Sequence, residues 1–188
     1  MSDRPDSASL RPFTCVGSRQ LLETRIFTVH EDQVVSPRNG LIHPVTRLET
    51  ADWVNMIVIT ADRQIILVRQ WRHGIRGLTL EIPGGMIERG EDPAMAAARE
   101  VREETGYRGD DPVKLGVVRP NPAFLGNRCF TYLLENCRLD GDQQLDAGED
   151  IEVVVRPLTE IPDLIARGEI ANSLVVAAFW WLRYRRPE

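Results

Sequence analysis

Cysteine is scarce in this sequence. The 188 residues include only Cys15, Cys129 and Cys137, an odd number with no CxxC pair. That argues against a disulfide framework or a cysteine zinc site and favours reduced thiols in a cytoplasmic protein. Histidine is as sparse: His30, His43 and His73 lie far apart, without metal-ligand spacing, and read as ordinary side chains. No long hydrophobic run is present. The most apolar stretch, LVVAAFWWL from Leu174 to Leu182, falls far short of the roughly 20 residues that span a bilayer. Arginines follow it, and it reads as a buried helix, with Trp180 and Trp181 as packing residues. The first ten residues, MSDRPDSASL, lack the apolar run of a signal peptide and are expected to form a loose tail. Excess positive charge is missing too. A formal charge of −5 argues against a nucleic-acid surface, while local arginines can still bind a phosphate. No repeat or low-complexity linker divides the chain.

What is present fits an ordinary globular domain. Hydrophobic residues make up 43% and charged residues 27%, and the length suits one domain with a real core. RIFTVHEDQVV (25–35) alternates until Glu31-Asp32 interrupts it, which predicts two short strands and a turn. WVNMIVIT and QIILVRQ are rich in β-branched residues and flank ADR, a predicted hairpin. LTLEIPGG reads as a strand entering a glycine turn. EDPAMAAAREVREETG then carries helix signals: Asp92 as N-cap, Pro93 at the first position and Gly106 as C-cap. Further strands are expected at about 113–119, 129–136 and 150–156, and helices at about 159–167 and 172–185. Strands, one helix, more strands and closing helices make this an α+β pattern rather than a regular βαβ repeat.

The central helix is crowded with acid. Glu100, Glu103 and Glu104 fall within five positions, and like charges three or four apart oppose helix formation by a few tenths of a kcal/mol per pair. Spacing of about 100° per residue puts Ala94, Ala97, Ala98 and Val101 on one side and the three glutamates on an adjacent one. Two readings follow from spacing alone. One is a solvated helix with an Arg99–Glu103 ion pair. The other is a well of negative charge for a hard divalent cation, which prefers a few carboxylates together with substrate phosphates.

The loop before the helix shifts the balance between them toward the cation. Residues 85–107, GMIERGEDPAMAAAREVREETGY, match G-x5-E-x7-R-E-U-x-E-E-x-G-U, where U is apolar or aromatic. The run resembles the Nudix hydrolase box at every fixed position. ILVRQWRHG, LEIPGGMIERGE and EDIEVVV are similar to the branch that hydrolyses ADP-ribose and other nucleoside diphosphate sugars. The resemblance covers roughly residues 20 to 185. It implies a Nudix fold over 11–188, a mixed β-sheet sandwiched between helices, with an N-terminal β region (about 11–50) that helps form a homodimer. It also implies magnesium or manganese as cofactor and attack of water on a pyrophosphate.

By the same resemblance, Glu100 and Glu104 would be the principal metal ligands, with the Gly84 carbonyl as another oxygen donor. Glu103 would bind a second metal or orient water. Glu91 and Arg99 would fix the Gly85 loop against the helix. Arg72 matches a position that contacts substrate phosphates, and Arg69 is a second candidate. Met86 matches a residue lining the substrate site, although methionine also fills cores. Trp53 would either stack on a base or pack in the core. Two departures stand out. NPAFLGN puts Asn121 and Ala123 in the turn where relatives carry S-P-G, and Asn127 where they carry a glutamate, which affects recognition of the terminal sugar. AGEDI has Ala147 at the position of the proposed base, while Glu149 matches a metal ligand; Glu149, Asp146, Glu152 or a hydroxide would then serve as base. The implied function is hydrolysis of a nucleoside diphosphate sugar to a nucleoside monophosphate and a sugar phosphate. The alternatives are a Nudix hydrolase of nucleoside triphosphates or dinucleoside polyphosphates, and a non-catalytic nucleotide-sugar sensor, which the intact box argues against.

Overall fold

The computed structural model describes residues 10–184. Apart from the exposed Leu10, the tail expected over 1–10 lies outside the described residues, as does residue 185 of the last expected helix. The chain divides into two compact units, one of residues up to Thr50 with Asn121–Gly126, the other of Ala51–Pro120 and residues from Asn127 onward.

The first unit is a three-stranded antiparallel sheet in the order β1 (Thr14–Glu23), β2 (Thr28–Val35), β3 (Ile42–Glu49). The turn expected at Glu31-Asp32 is absent, and β2 runs straight through it. Cross-strand partners explain this: Arg19 donates to Glu31 at 2.9 Å, while Ser18 and Arg47 donate to Asp32. Paired acids tolerate a strand that unpaired ones would interrupt. A turn at Asn121–Gly126 completes the unit through a bridge between Leu48 and Leu125.

The second unit contains β4 (Trp53–Thr60), β5 (Gln64–Arg72), β6 (Gly77–Glu81), β7 (Gly84–Met86), α1 (Pro93–Thr105), β8 (Tyr107–Arg108), β9 (Val113–Val118), β10 (Cys129–Leu139), β11 (Ile151–Pro157), α2 (Ile161–Ala166) and α3 (Ser173–Tyr184). Its sheet runs β11-β5-β4-β10-β8, with β6 beside β5, β7 beside β4 and β9 beside β10. β4 and β10 are parallel and the other pairs antiparallel. Where the sequence suggests a glycine turn, Gly84–Met86 is itself a strand paired with β4.

Alternation along β4 builds two cores. Val54, Met56 and Val58 pack with Ala96, Ala97 and Val101 of α1. Ile57 and Ile59 pack with Ile161 and Leu164 of α2 and with Val175, Ala178 and Phe179 of α3. The mixed sheet therefore carries helices on both faces, the α+β class expected. Each fully buried Ile or Val side chain contributes roughly 1.5–3 kcal/mol. Trp181 packs on β9, where a Cβ at Gly116 would run into its ring. Trp180, also expected to pack, is instead exposed and rests on Tyr184 at 4.3 Å, because position 180 falls on the outer side of α3. Among the described residues no helix is long and apolar enough to cross a membrane.

Candidate active site

Helix α1 begins and ends where its caps require. Asp92 accepts from the backbone N–H of Ala94 (2.9 Å) and Met95, and Pro93 follows it. Gly106 closes the helix at φ 72°, a left-handed conformation that favours glycine, and donates to the Arg102 carbonyl. These caps fix the rotation of the helix. Val101, Ala96 and Ala97 then pack into the core with β4, whereas Ala98, expected on the same side, stays half-buried outside it, and Glu100 and Glu104 face β7.

Two glycines allow that approach. A Cβ at Gly84 would meet the Val54 carbonyl at 2.6 Å, and one at Gly85 would overlap the Glu100 carboxylate. The Gly84 N–H donates to Glu104 at 2.9 Å. Glu104 is 3% exposed and forms no ion pair among the described residues. Burial pushes its carboxyl up to about 8; the Glu100 and Glu149 charges push the same way, against the Gly84 bond and Arg72. Burial also pushes Glu100 up to about 7, against the pull of Arg99, with Glu103 and Glu149 adding to the rise.

Arg99 ties the loop to the helix. It donates to Glu91 through Nε (2.9 Å) and Nη2 (3.0 Å), and through Nη1 to Glu100 and Glu103 (2.9 Å each). Its Nη2 also reaches the Met86 carbonyl at 3.4 Å. Glu91 accepts in addition from the Glu88 N–H.

The loop between β10 and β11 is pinned to the end of α1. Gln143 Nε2 donates to the Glu104 and Ile151 carbonyls, and the Gln144 N–H to the Glu103 carbonyl. Glu149 follows in this loop, where its carboxylate accepts from the Asp146 N–H at 3.0 Å. Its charge acts on Glu100, Glu104 and Arg72. Glu152 is instead paired with Arg69 at 2.8 Å across β11 and β5.

The remaining sequence candidates are distributed as follows. Arg72 is clamped by Glu81 but feels the Glu104 and Glu149 charges. Met86 is exposed, opposite the half-buried Trp53 in the β7–β4 ladder. Asn127 is buried and donates to the Ala51 carbonyl at 3.1 Å. Asn121 and Ala123 belong to the turn of the first unit, where the Ala123 N–H reaches the Asn121 side chain. Sequence reasoning missed Glu81, Gln143 and Asn172. Only Glu81 left a signal, as a charge inside the apolar strand LTLEI.

Among the described residues no three acidic, histidine or cysteine side chains are drawn together at coordinating positions; Glu103 turns to Arg99 and Glu149 to its own loop. The donor chemistry nevertheless fits a hard divalent cation. The buried Glu104, without an ion-pair partner among the described residues, and the half-buried Glu100 sit against glycine backbone, and oxygen donors are what magnesium and manganese select.

A family model described as NUDIX domain matches residues 50–179. The ADP-ribose pyrophosphatase of Bacillus subtilis (strain 168) is 26% identical over 171 residues, covering 90% of this chain and 92% of the relative. That of Mycobacterium tuberculosis (strain ATCC 25618 / H37Rv) is 31% identical over 169 residues, covering 88% and 80%. A crystal structure of an ADP compounds hydrolase superposes with a TM-score of 0.82 at 24% identity, covering 94% of this chain and 95% of the other; at that identity the likeness speaks for the fold.

Proposed function

The chain belongs to the NUDIX family, and from that premise we propose that it hydrolyses the pyrophosphate bond of ADP-ribose or a related nucleoside diphosphate sugar. The products are a nucleoside monophosphate and a sugar phosphate. The observation that carries this reading is the buried Glu104 and half-buried Glu100 held against Gly84–Gly85, with the Arg72 charge acting on Glu104. The names of the relatives supply the substrate class.

Glu100, Glu104 and the Gly84 carbonyl would hold magnesium or manganese. Such an ion, when bound, neutralises phosphoryl oxygens and acidifies water. Arg72 presents a planar set of N–H donors to the phosphates. Glu103 orients the attacking water, and Glu149 takes its proton. Glu149 is favoured over Glu152 because Glu152 is occupied by Arg69, whereas the Glu149 charge is felt at both Glu100 and Glu104. Glu91 and Arg99 keep the loop on the helix. Within the second unit, Arg69, Met86 and Asn127 contribute to substrate binding.

Residues 11–188 work as one catalytic domain in a cytoplasmic homodimer. The first unit's sheet supports dimerisation, because Val16, Leu21, Leu22 and Ile42 are exposed on its strands and exposed apolar surface favours association. Product analysis over ADP-ribose, other nucleoside diphosphate sugars, nucleoside triphosphates and dinucleoside polyphosphates tests the reading, with each metal and with chelator. AMP and ribose 5-phosphate should form from ADP-ribose only when metal is present. Faster turnover of triphosphates would assign a different substrate.

A further inference from the structure

Glu81 ends β6 at 3% exposure, a charged side chain inside the sheet. Four donors converge on it. Arg72 Nε and Thr79 Oγ1 donate to Oε1 at 3.0 and 2.7 Å, and Arg72 Nη2 and Asn172 Nδ2 donate to Oε2 at 2.8 and 2.9 Å. Each oxygen accepts twice, so the carboxylate has little capacity left to act as a base or a ligand. Arg72 engages through one edge of its guanidinium only. Among the described residues its Nη1 and second Nη2 hydrogen have no acceptor, on a side chain that is 44% exposed and within range of the Glu104 and Glu149 charges.

The far end of this arrangement is anchored too. Asn172 Oδ1 accepts from the Leu174 N–H at 2.9 Å, capping α3. The Leu174 carbonyl accepts from Asn55 Nδ2, and Asn55 lies opposite Gly84 in the β4–β7 ladder. One amide thus starts α3 and fixes the carboxylate that fixes Arg72. A buried ion pair of this kind is weak support for stability, since an apolar pair of similar volume often does as well. Orientation is what an apolar pair would not supply.

We propose that Glu81 and Asn172 are positioning residues that hold Arg72 with its free edge toward the substrate's phosphates. The inference rests on the phosphate role given to Arg72 above. It assigns no contact with substrate to either residue.

Calorimetric binding of an α,β-methylene analogue of ADP-ribose, with magnesium present, tests it on wild type, Arg72→Ala, Glu81→Gln and the double variant. Kinetics on ADP-ribose run beside it. Glu81→Gln should weaken binding roughly tenfold and raise KM more than it lowers kcat, as expected when a charge-assisted pair is lost. In the Arg72→Ala background the same change should cost less than about twofold, because residues acting through one another are not additive. Asn172→Ser keeps a capping oxygen but loses the donor to Glu81; it should weaken binding by about threefold with Arg72 present and not without it. This milder variant decides the question if Glu81→Gln does not fold. Equal penalties in both backgrounds, or none in either, would overturn the positioning role and leave the Arg72 contact standing. Unchanged binding by Arg72→Ala would remove that contact and the proposal with it. A wild-type protein that neither binds the analogue nor cleaves ADP-ribose would instead overturn the functional reading itself.

Discussion

Glu81 and Glu104 are equally buried, each 3% exposed, and they lie on opposite sides of the electrostatic ledger. Burial alone would raise both. At Glu81 the bonds from Arg72, then those from Thr79 and Asn172, outweigh burial and hold the carboxyl below the usual glutamate range. At Glu104 one backbone N–H is the only bonded donor among the described residues, two other carboxylates push the same way as burial, and the group rises to about 8. Exposure therefore does not distinguish them; partners do. A buried charge whose partners are complete is part of the scaffold, while one left short marks a place where something else binds.

Substitutions sharpen this contrast, the largest effect first. Glu104→Gln keeps the shape and removes the charge, so turnover should fall by about 10³ or more, as when a transition-state electrostatic group is lost, while the variant melts no lower than wild type without metal. Near-normal turnover by that folded variant would break the contrast. Glu149→Gln should lower kcat by about 10²–10⁴, the range for general-base removal, with little change in analogue binding. Arg72→Ala should raise KM by roughly tenfold with a smaller change in kcat, and Arg72→Lys should not restore it, because a point charge does not replace a planar fork. Glu152→Gln breaks only an exposed pair with Arg69 and should change stability by less than about 1 kcal/mol and activity hardly at all. A loss at Glu152 matching that at Glu149 would move the base to the strand.

The site's acidic half was legible in the sequence because its parts are local. Asp92, Pro93 and Gly106 set the ends of α1, and fixed spacing from Gly85 to Glu104 carried the rest, since 3.6 residues per turn converts spacing into a face. The hairpin between β4 and β5 was legible for the same reason, through a short turn between β-branched runs. The Glu81 cluster was not. Asn172 meets Glu81 from 91 positions away, and no periodicity relates a strand residue to a helix cap that folds beside it. The straight course of β2 depends likewise on Ser18 and Arg47 in neighbouring strands; read alone, two adjacent acids look like a turn. The loop carrying Glu149 showed its charge but not its docking, which Gln143 supplies through two carbonyls.

The most direct test of the contrast is the melting temperature of metal-free protein between pH 5 and 8.5, repeated with magnesium, for wild type, Glu104→Gln and Glu81→Gln. For a carboxyl whose folded pKa is raised, the folded state holds the extra proton between the ordinary value near 4.5 and the raised one. Stability from Glu100 and Glu104 is therefore present at low pH and is lost as pH rises through about 7 and about 8. Wild type should melt lower by several degrees at pH 8.5 than at pH 5, roughly 4–8 °C per kcal/mol for a small domain and less for a larger one. Magnesium should recover most of that loss at high pH and little at low pH. Glu104→Gln should flatten the profile and blunt the magnesium effect, while Glu81→Gln, if folded, should keep both. A metal-free profile that does not fall with pH, or a magnesium effect that survives Glu104→Gln undiminished, would contradict the assignment of Glu104 to a cation site.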